Sequence, residues 1–462
     1  MSKEPPFFNI KIAIKEIRKN GIRQWLIEEM TESFIEARKG KLTTYNEHKF
    51  EIHWIENITK LVDSILDRTY KPGASTTFIV HDPKDREIFA APFSDRNVHH
   101  LLYRISVAWW DKIFIKNSYS CRPEKGTYYG ILQAWSMARS ATNNFSEKAY
   151  IMKMDISNYF MSLPRKELYK TIRRGLYRQF KEYLSIPEGY ELFKICDFLW
   201  YQIIMDDPVE HCVRRGDKRE WTNLAPGKSL LDQPPDTGIA IGNVTSQLAS
   251  NAYLDSFDKY VHCQLGYKYY GRYVDDFFII VKESDLKFAL DDVKRIREYL
   301  KKEKKLTLHP KKFSVCRVDQ GFAFLGARIY PHCIIPADRL QKKIKLTLHQ
   351  LRNEEISNER IISFLGMTKN LNATTLMRRL FKNYDLDFRL YQEFRLLNND
   401  DKKKTRNAND IVADLRKSHW NDTKKDAEEL AKEKKEKEQM NDSKNTETDK
   451  NQNPEEEKKK NR

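Results

Sequence analysis

The amino-acid sequence predicts an α+β fold in which short strands alternate with long helices. Residues 76–93 alternate between apolar and polar side chains around a turn at residues 82–85, which predicts a pair of strands. Residues 149–155 form a short apolar run that ends in an acid, and residues 268–281 place β-branched and aromatic residues around two adjacent aspartates. Apolar residues at helical spacing occupy much of the remaining chain.

The predicted elements follow one another in this order. Residues 1–70 form an N-terminal helical segment that ends at Lys71-Pro-Gly73. After the first strand pair come helices over 94–114 and 127–142, the strand 149–155, helices over 165–205, an irregular segment over 206–237, a helix over 244–265, the hairpin 268–281, a helix over 284–305, strands near 313–318 and 321–330, and basic helices over 336–395.

Two stretches have a distinctive pattern. In the helix 284–305, one apolar face is predicted from Leu286, Leu290, Val293, Ile296 and Leu300. Residues 398–462 are rich in Lys, Glu, Asp and Asn with few apolar side chains, which predicts a charged, disordered or partly helical tail.

The 462 residues, of which 40% are hydrophobic and 12% aromatic, are enough for two or three domains with substantial cores. Residues 400–462 hold 18 Lys and Arg and 17 Asp and Glu, so +16 of the formal net charge of +17 lies on residues 1–399. A basic folded body favours a polyanionic partner, most simply nucleic acid, although a merely soluble basic protein also fits the charge.

The cysteine pattern predicts reduced thiols and a cytoplasmic protein. The six cysteines are scattered without a Cys-x-x-Cys pair, which argues against a zinc site or a disulfide framework. The N-terminal residues lack a signal-peptide pattern. Lys194 and Asp197 interrupt the most apolar run, so we expect no membrane association.

Asp275 and Asp276 occupy the predicted turn of the hairpin. Adjacent like charges are costly to bury, and hard divalent ions are their natural counter-charge. Aspartate is also common in exposed turns, so an acidic surface turn fits the pair alone. Asp155 ends another strand, and if that strand lies beside the hairpin, three carboxylates converge. They would form the ligand set for two Mg²⁺ ions about 3.5–4 Å apart, as used in phosphoryl transfer.

The order of these segments resembles a reverse transcriptase, an RNA-directed DNA polymerase, over roughly residues 45–390. The resemblance implies a right-hand polymerase fold with an antiparallel-sheet palm. The implied domains are fingers over 71–148, a palm over 149–335 that contains a fingers insertion over 165–237, and a helical thumb over 336–397.

The resemblance also implies roles for the acidic residues. Asp155, Asp275 and Asp276 are implied as the catalytic acids. Together with Ile156 they would form the binding site for two Mg²⁺ ions, for which Mn²⁺ is a substitute.

Several further positions match segments of the family that bind the incoming dNTP. Phe160 matches the aromatic steric gate that excludes a ribose 2′-hydroxyl, and this role is favoured over the alternative of a plain core Phe. Lys84 and Arg86 match the fingers residues that bind triphosphate oxygens, although exposed hairpin charges would also fit. Lys312, or its neighbour Lys311, matches a lysine near the pyrophosphate.

The segment 238–247 resembles the motif that contacts the template and the incoming nucleotide, with Gly242 and Gln247 as its dNTP-binding residues. Ile241 and Gln247 stand where most reverse transcriptases have Gln and Pro. This form is similar to enzymes of diversity-generating retroelements, in which low copying fidelity is associated with the motif.

The resemblance also implies a primer grip and a set of partners. Phe324, Leu325 and Gly326 match the primer grip. The implied partners are a template RNA, a primer or cDNA and dNTPs, together with an accessory RNA-binding protein of the kind that works with retroelement enzymes. A phage-defence or other orphan bacterial reverse transcriptase is an alternative, and a catalytically inactive RNA-binding scaffold is an alternative of another class.

Overall fold

The computed structural model describes residues 8–39, 45–81, 84–353, 356–397 and 407–417. Two compact units divide the chain, Ser2–Leu325 and Gly326–Arg462. The division falls shortly before residue 336, where the sequence predicts that the thumb begins. The mixture of helices with antiparallel sheets confirms the predicted α+β class.

Helices make up most of the first unit. They are α1 (Ile10–Asn20), α2 (Ile22–Arg38), α3 (Tyr45–Ile52), α4 (Trp54–Leu66), α5 (Phe93–Ile113), α6 (Thr127–Ala141), α7 (Tyr159–Ser162), α8 (Arg165–Phe180), α9 (Pro187–Met205), α10 (Lys218–Thr222), α11 (Val244–Lys259) and α12 (Leu286–Glu303). Local signals set some of these bounds: α1 begins after Asn9, whose side chain accepts a hydrogen bond from the Lys11 N–H, and α9 has Pro187 in its first turn.

The strands of the first unit form two sheets, apart from the last strand, which lies at the end of the unit. They are β1 (Thr76–Val80), β2 (Arg86–Ala90), β3 (Ala149–Asp155), β4 (Val213–Arg214), β5 (Tyr270–Tyr273), β6 (Asp276–Lys282), β7 (Ser314–Arg317) and β8 (Phe322–Phe324). In the first sheet, β1 pairs with β2 antiparallel and with β4 parallel. A small core of Phe89, Met161 and Leu230 lies next to it.

The second sheet has the antiparallel order β5-β6-β3-β7. Met152 and Met154 of β3 lie in the main hydrophobic core, as does Phe277 of β6, whose ring meets that of Phe257 of α11 edge-on at a centroid distance of 5.2 Å. One face of the sheet therefore packs on the helices. Because side chains alternate along a strand, Asp155 lies on the opposite face.

The second unit contains a β-hairpin and a set of helices. Its elements are β9 (Ala327–Ile329), β10 (Ile334–Pro336), α13 (Asp338–Arg352), α14 (Asn358–Lys369), α15 (Thr374–Asn383) and α16 (Phe388–Leu396). Buried apolar side chains hold the helices together, among them Ile344, Phe364, Leu365, Phe381 and Tyr391.

The predicted tail is not uniformly unstructured. Residues 408–417 form a helix in which Ile411, Val412 and Leu415 are buried, and Arg416 Nε donates a hydrogen bond to Asn358 Oδ1 at 3.0 Å. The apolar side chains of this helix occur at helical spacing, a local pattern that the charged composition of the whole tail does not show. The rest of the predicted tail lies outside the described residues.

The predicted apolar face of α12 is wrong at one position. Leu290 is 40% exposed, whereas Ala289, Ile296 and Leu300 are fully buried. Of the described helices, none has the length and apolar character needed to cross a membrane.

Candidate active site

The pairing of β3 with β6 brings the three predicted acids together. Asp155 is the direct partner of Asp276 in the antiparallel register, and the Ile156 N–H donates to the Asp275 carbonyl at 3.1 Å. Directly paired residues share one face of a sheet, so Asp155 and Asp276 both lie opposite the helical core. Asp275 lies in the adjacent turn. The strand that ends in Asp155 therefore lies beside the hairpin, as the predicted convergence of the three carboxylates required.

A buried network beneath the turn holds its shape. Arg272 Nη1 donates to the Val274 carbonyl at 2.9 Å, and the Val274 N–H donates to Ser120 Oγ at 3.1 Å. Val274 has a φ of +57°, which is rare for a β-branched residue. Such a conformation persists only where the surroundings impose it. Here the hydrogen bonds from Arg272 and to Ser120 hold the two peptide groups of Val274 in place.

The electrostatics of the acids indicate a shortage of positive charge. Burial, followed by the nearby Asp275 and Asp155 charges, raises the pKa of Asp276 to about 6 despite the opposing effect of Lys153. Burial and then Asp155 also raise the pKa of Asp275. Ionising neighbouring buried carboxylates costs free energy, and cations that bind among them reduce this cost.

Lys312 supplies a counter-charge to one of the acids. Its Nζ lies 2.8 Å from both carboxylate oxygens of Asp155, and the His309 N–H donates to the Asp155 carbonyl at 2.8 Å. Lys312, rather than its neighbour Lys311, therefore faces the acids in this structure.

The donor chemistry suits hard divalent ions. Asp155, Asp275 and Asp276 offer only oxygen ligands, and Ile156 can contribute only its main chain because its side chain is buried and apolar. Across the described ranges, no three His, Cys, Asp or Glu side chains are already arranged to hold an ion.

Phe160 lies in the short helix α7, immediately beyond β3. Its ring is partly buried and meets that of Tyr159 edge-on at a centroid distance of 5.6 Å, while its carbonyl accepts from the Ile239 N–H at 3.0 Å. The Tyr159 hydroxyl donates to the Ser250 carbonyl at 2.6 Å. Phe160 is thus fixed by contacts to the segment before α11 and, through Tyr159, to α11 itself.

Gly242 is required by its contact with strand β2, which the sequence assigns to the predicted fingers. It has a φ of +125°, and a Cβ at this position would lie 3.3 Å from the Phe89 carbonyl oxygen. The Phe89 N–H donates to the Ile241 carbonyl at 3.1 Å. Gln247 lies in the first turn of α11 with its side chain partly exposed.

The remaining predicted positions lie at the start of β2 and at the end of β8. Lys84 and Arg86 are exposed where the chain enters β2. Phe324 packs edge-on against Phe278 of β6 at a centroid distance of 5.0 Å, on the same face of the sheet as Asp276. Leu325 and Gly326 follow with positive φ values of 49° and 83°.

Two residues of the site were not predicted from the sequence. Lys228, in the irregular segment before α11, interacts electrostatically with Asp155 and Asp275. Burial lowers the pKa of Lys228, and the nearby Lys312 lowers it further. Glu87 of β2 is fully buried and accepts hydrogen bonds from the segment that carries Lys228. An acid inside the apolar alternation of β2 is the sequence signal that could have indicated it.

Comparison with known proteins gives one match to a family and several more distant similarities. The family model described as "Reverse transcriptase (RNA-dependent DNA polymerase)" matches residues 84–329. Protein YkfC of Escherichia coli (strain K12) is 23% identical, over 58% of this chain and 70% of its own length.

Among solved structures, the chain is similar to two Candida telomerases. Apo telomerase from Candida tropicalis has a TM-score of 0.41 and 11% identity, covering 68% of this chain and 59% of its own. Telomerase from Candida albicans, solved with a fragment of telomeric RNA, has a TM-score of 0.39 and 12% identity, covering 73% and 59%. The present chain thus spans less than two thirds of either telomerase chain.

Proposed function

The chain belongs to the reverse transcriptase family of RNA-directed DNA polymerases, and we propose that it transfers nucleotides from dNTPs to a primer 3′-hydroxyl on an RNA template by two-metal catalysis. The pairing of Asp155 with Asp276, with Asp275 in the adjoining turn, is the observation that carries the proposal. Asp155, Asp275, Asp276 and the Ile156 main chain would hold the ions. When bound, two Mg²⁺ ions, or Mn²⁺ in their place, would activate the 3′-hydroxyl and neutralise the leaving pyrophosphate.

The side chains around the acids have complementary roles in this proposal. Phe160 excludes the ribose 2′-hydroxyl, Lys312 moves from Asp155 to the pyrophosphate, and Lys84 and Arg86 bind triphosphate oxygens. Gly242 and Gln247 contact the incoming nucleotide, and residues 324–326 hold the primer. The +16 charge on residues 1–399 supports a nucleic-acid partner.

Primer extension tests the reaction. The full chain should extend a DNA primer on an RNA template with dNTPs and Mg²⁺, and chelation of the metal should stop synthesis. Asp275→Ala should abolish extension and leave RNA binding intact, whereas the exposed Asp291 of α12 provides a matched control, Asp291→Ala, with normal activity. Extension that persists in Asp275→Ala would refute the two-metal assignment. An inactive wild-type chain that still binds RNA would favour the scaffold alternative.

We further propose that the enzyme belongs to the diversity-generating type and works in the cytoplasm with a template RNA and an accessory RNA-binding protein. Ile241 and Gln247, in place of the usual Gln and Pro, support this type. Sequencing of cDNA products provides the test: misincorporation concentrated opposite template adenines is expected. Uniform errors across the four bases would instead favour the phage-defence or orphan alternative.

A further inference from the structure

The segment before α11 is attached to the fingers strand β2 by a buried carboxylate. Glu87 is inaccessible to solvent, and its Oε1 accepts from Trp221 Nε1 at 2.7 Å and from Ser229 Oγ at 3.0 Å. Its Oε2 accepts from the Leu230 N–H at 2.6 Å. A buried charge needs several donors to offset its lost hydration, and this segment provides all three.

The same segment is held on its other side by the turn that follows β3. Asn158, three residues after Asp155, has a φ of +47°, and its Nδ2 lies 3.5 Å from the Pro226 carbonyl oxygen. Gly227 has a φ of +73°, and a Cβ there would lie 2.3 Å from Asn158 Nδ2. The positive φ favours glycine here, and a larger residue would also have to displace the Asn158 side chain. Residues 226–230 are therefore fixed between the catalytic strand and the fingers.

Lys228 is at the centre of this fixed segment. Its side chain is partly buried, and it interacts attractively with Asp155 and Asp275 and repulsively with Lys84 and Lys312. Lys312 is engaged by Asp155, whereas in the part of the chain that the structure describes no carboxylate oxygen lies within 4.0 Å of the Lys228 ammonium. A partly buried ammonium without a close anion favours an anionic ligand.

We propose that Lys228 binds the polyphosphate of the incoming dNTP and that Glu87 is the residue that positions it. The inference rests on the proposed polymerase function. The triphosphate is the ligand because Lys228 shares its surroundings with Lys84 and Lys312, to which the proposed function assigns contacts with the triphosphate and the pyrophosphate. It also lies beside the two carboxylates that would hold the ions bound to that triphosphate. A template phosphate is the competing ligand, and the test separates the two.

Steady-state primer extension gives the first test. Lys228→Gln should raise the KM for dNTP about 10- to 100-fold, as expected for the loss of one charge-assisted contact. Its affinity for the primer–template should not change, and Lys228→Arg should recover most of the loss. The matched control is Lys218→Gln in the exposed part of the same segment, which should behave as wild type. A wild-type KM in Lys228→Gln overturns the inference, as does weakened template binding with an unchanged KM.

A binding assay separates failure of this inference from failure of the proposed function. Equilibrium binding of inorganic tripolyphosphate to the full chain needs no catalysis, so it remains informative if the wild type does not extend a primer. Lys228→Gln should bind tripolyphosphate at least several-fold more weakly than Lys218→Gln. Equal affinities overturn the assignment of Lys228, whatever the outcome of primer extension.

The positioning role of Glu87 has a distinct signature. Glu87→Gln should raise the KM for dNTP, and the double variant Glu87→Gln/Lys228→Gln should be no worse than Lys228→Gln alone, because both changes remove the same contact. Additive losses overturn the positioning role. Thermal unfolding identifies a variant that fails to fold, in which case Lys228→Gln still decides the main assignment.

Discussion

Arg272 and Asp258 form a fully buried, bidentate ion pair beneath the turn between β5 and β6. Both side chains are inaccessible to solvent, and Arg272 Nε and Nη2 each donate to a separate Asp258 oxygen at 2.7 Å. Tyr270 adds a third donor to Asp258 at 2.6 Å. Because Arg272 also donates to the Val274 carbonyl, the pair connects α11 to the turn that carries Asp275.

Breaking this pair should be costly for stability. Arg272→Met leaves the Asp258 carboxylate buried without its cation, so we expect the free energy of unfolding to fall by about 3–5 kcal/mol. The Val274 carbonyl also loses its donor, and primer extension should fall further than the loss of folded protein explains. Urea unfolding measures the first effect, and kcat at a temperature where the variant remains folded measures the second.

The exposed ion pair between Lys282 and Glu147 is the matched control. Its side chains are about half exposed, so Glu147→Gln should leave the free energy of unfolding nearly unchanged and activity intact. If Arg272→Met proved as stable and as active as Glu147→Gln, the pair would have no role in shaping the turn.

Phe160 should determine the choice between deoxyribose and ribose. Replacing the ring by a smaller side chain opens space near the sugar, so Phe160→Val should raise ribonucleotide incorporation relative to dNTP incorporation. The ratio of kcat/KM for the two sugars is the measurement. Phe160→Tyr keeps the ring and serves as the control with wild-type discrimination. If Phe160→Val discriminates as strongly as wild type, the residue is a packing residue of α7 and the steric-gate prediction is wrong.

The sequence was sufficient to predict the acidic centre because its signals are local. Alternation along β3 and β6 and the two adjacent aspartates define the strands and the turn within a few residues. The order of segments, which resembles that of reverse transcriptases, then predicted that the strand with Asp155 lies beside the hairpin. The structure adds the register, in which Asp155 lies directly opposite Asp276.

Features that depend on distant parts of the chain were not predictable in this way. Glu87 and Leu230 are 143 residues apart, and no periodicity connects them. Lys228 lies in an irregular segment where neither helical nor strand spacing assigns a direction to a side chain. The exposure of Leu290 has the same origin, since the helical pattern allowed either Leu290 or Ala289 on the buried face and packing selected Ala289.

Stability should fall in acid because of His99. Its Nδ1 lies 2.6 Å from Thr245 Oγ1 inside the protein, and burial, then repulsion from His100 and Arg96, lower its pKa from 6.5 to about 3. Between these two pKa values, His99 is protonated in the unfolded chain and neutral in the folded chain. The free energy of unfolding falls as the pH drops through this window, by up to about 1.4 kcal/mol per pH unit.

Comparison of His99→Gln with wild type isolates this effect. Burial raises the pKa of Asp206 to about 6, so that group favours the folded state as the pH falls and opposes the trend in both proteins. Urea unfolding at pH 7.5 and pH 5 should give a smaller acid loss in His99→Gln. Equal losses in the two proteins would show that His99 does not titrate on unfolding.

Binding to RNA should weaken steeply with salt, because the basic residues of the folded body displace counterions from the phosphates. The slope of log K against log salt is about −0.7 per phosphate contact for a single strand, so six contacts give a slope near −4. Filter binding between 50 and 300 mM salt measures it. Residues 418–462 hold 12 basic and 13 acidic residues, so their removal should leave the slope unchanged. A flat response in the full chain would exclude the basic body as the template-binding surface, and a slope lost on truncation would assign binding to the tail.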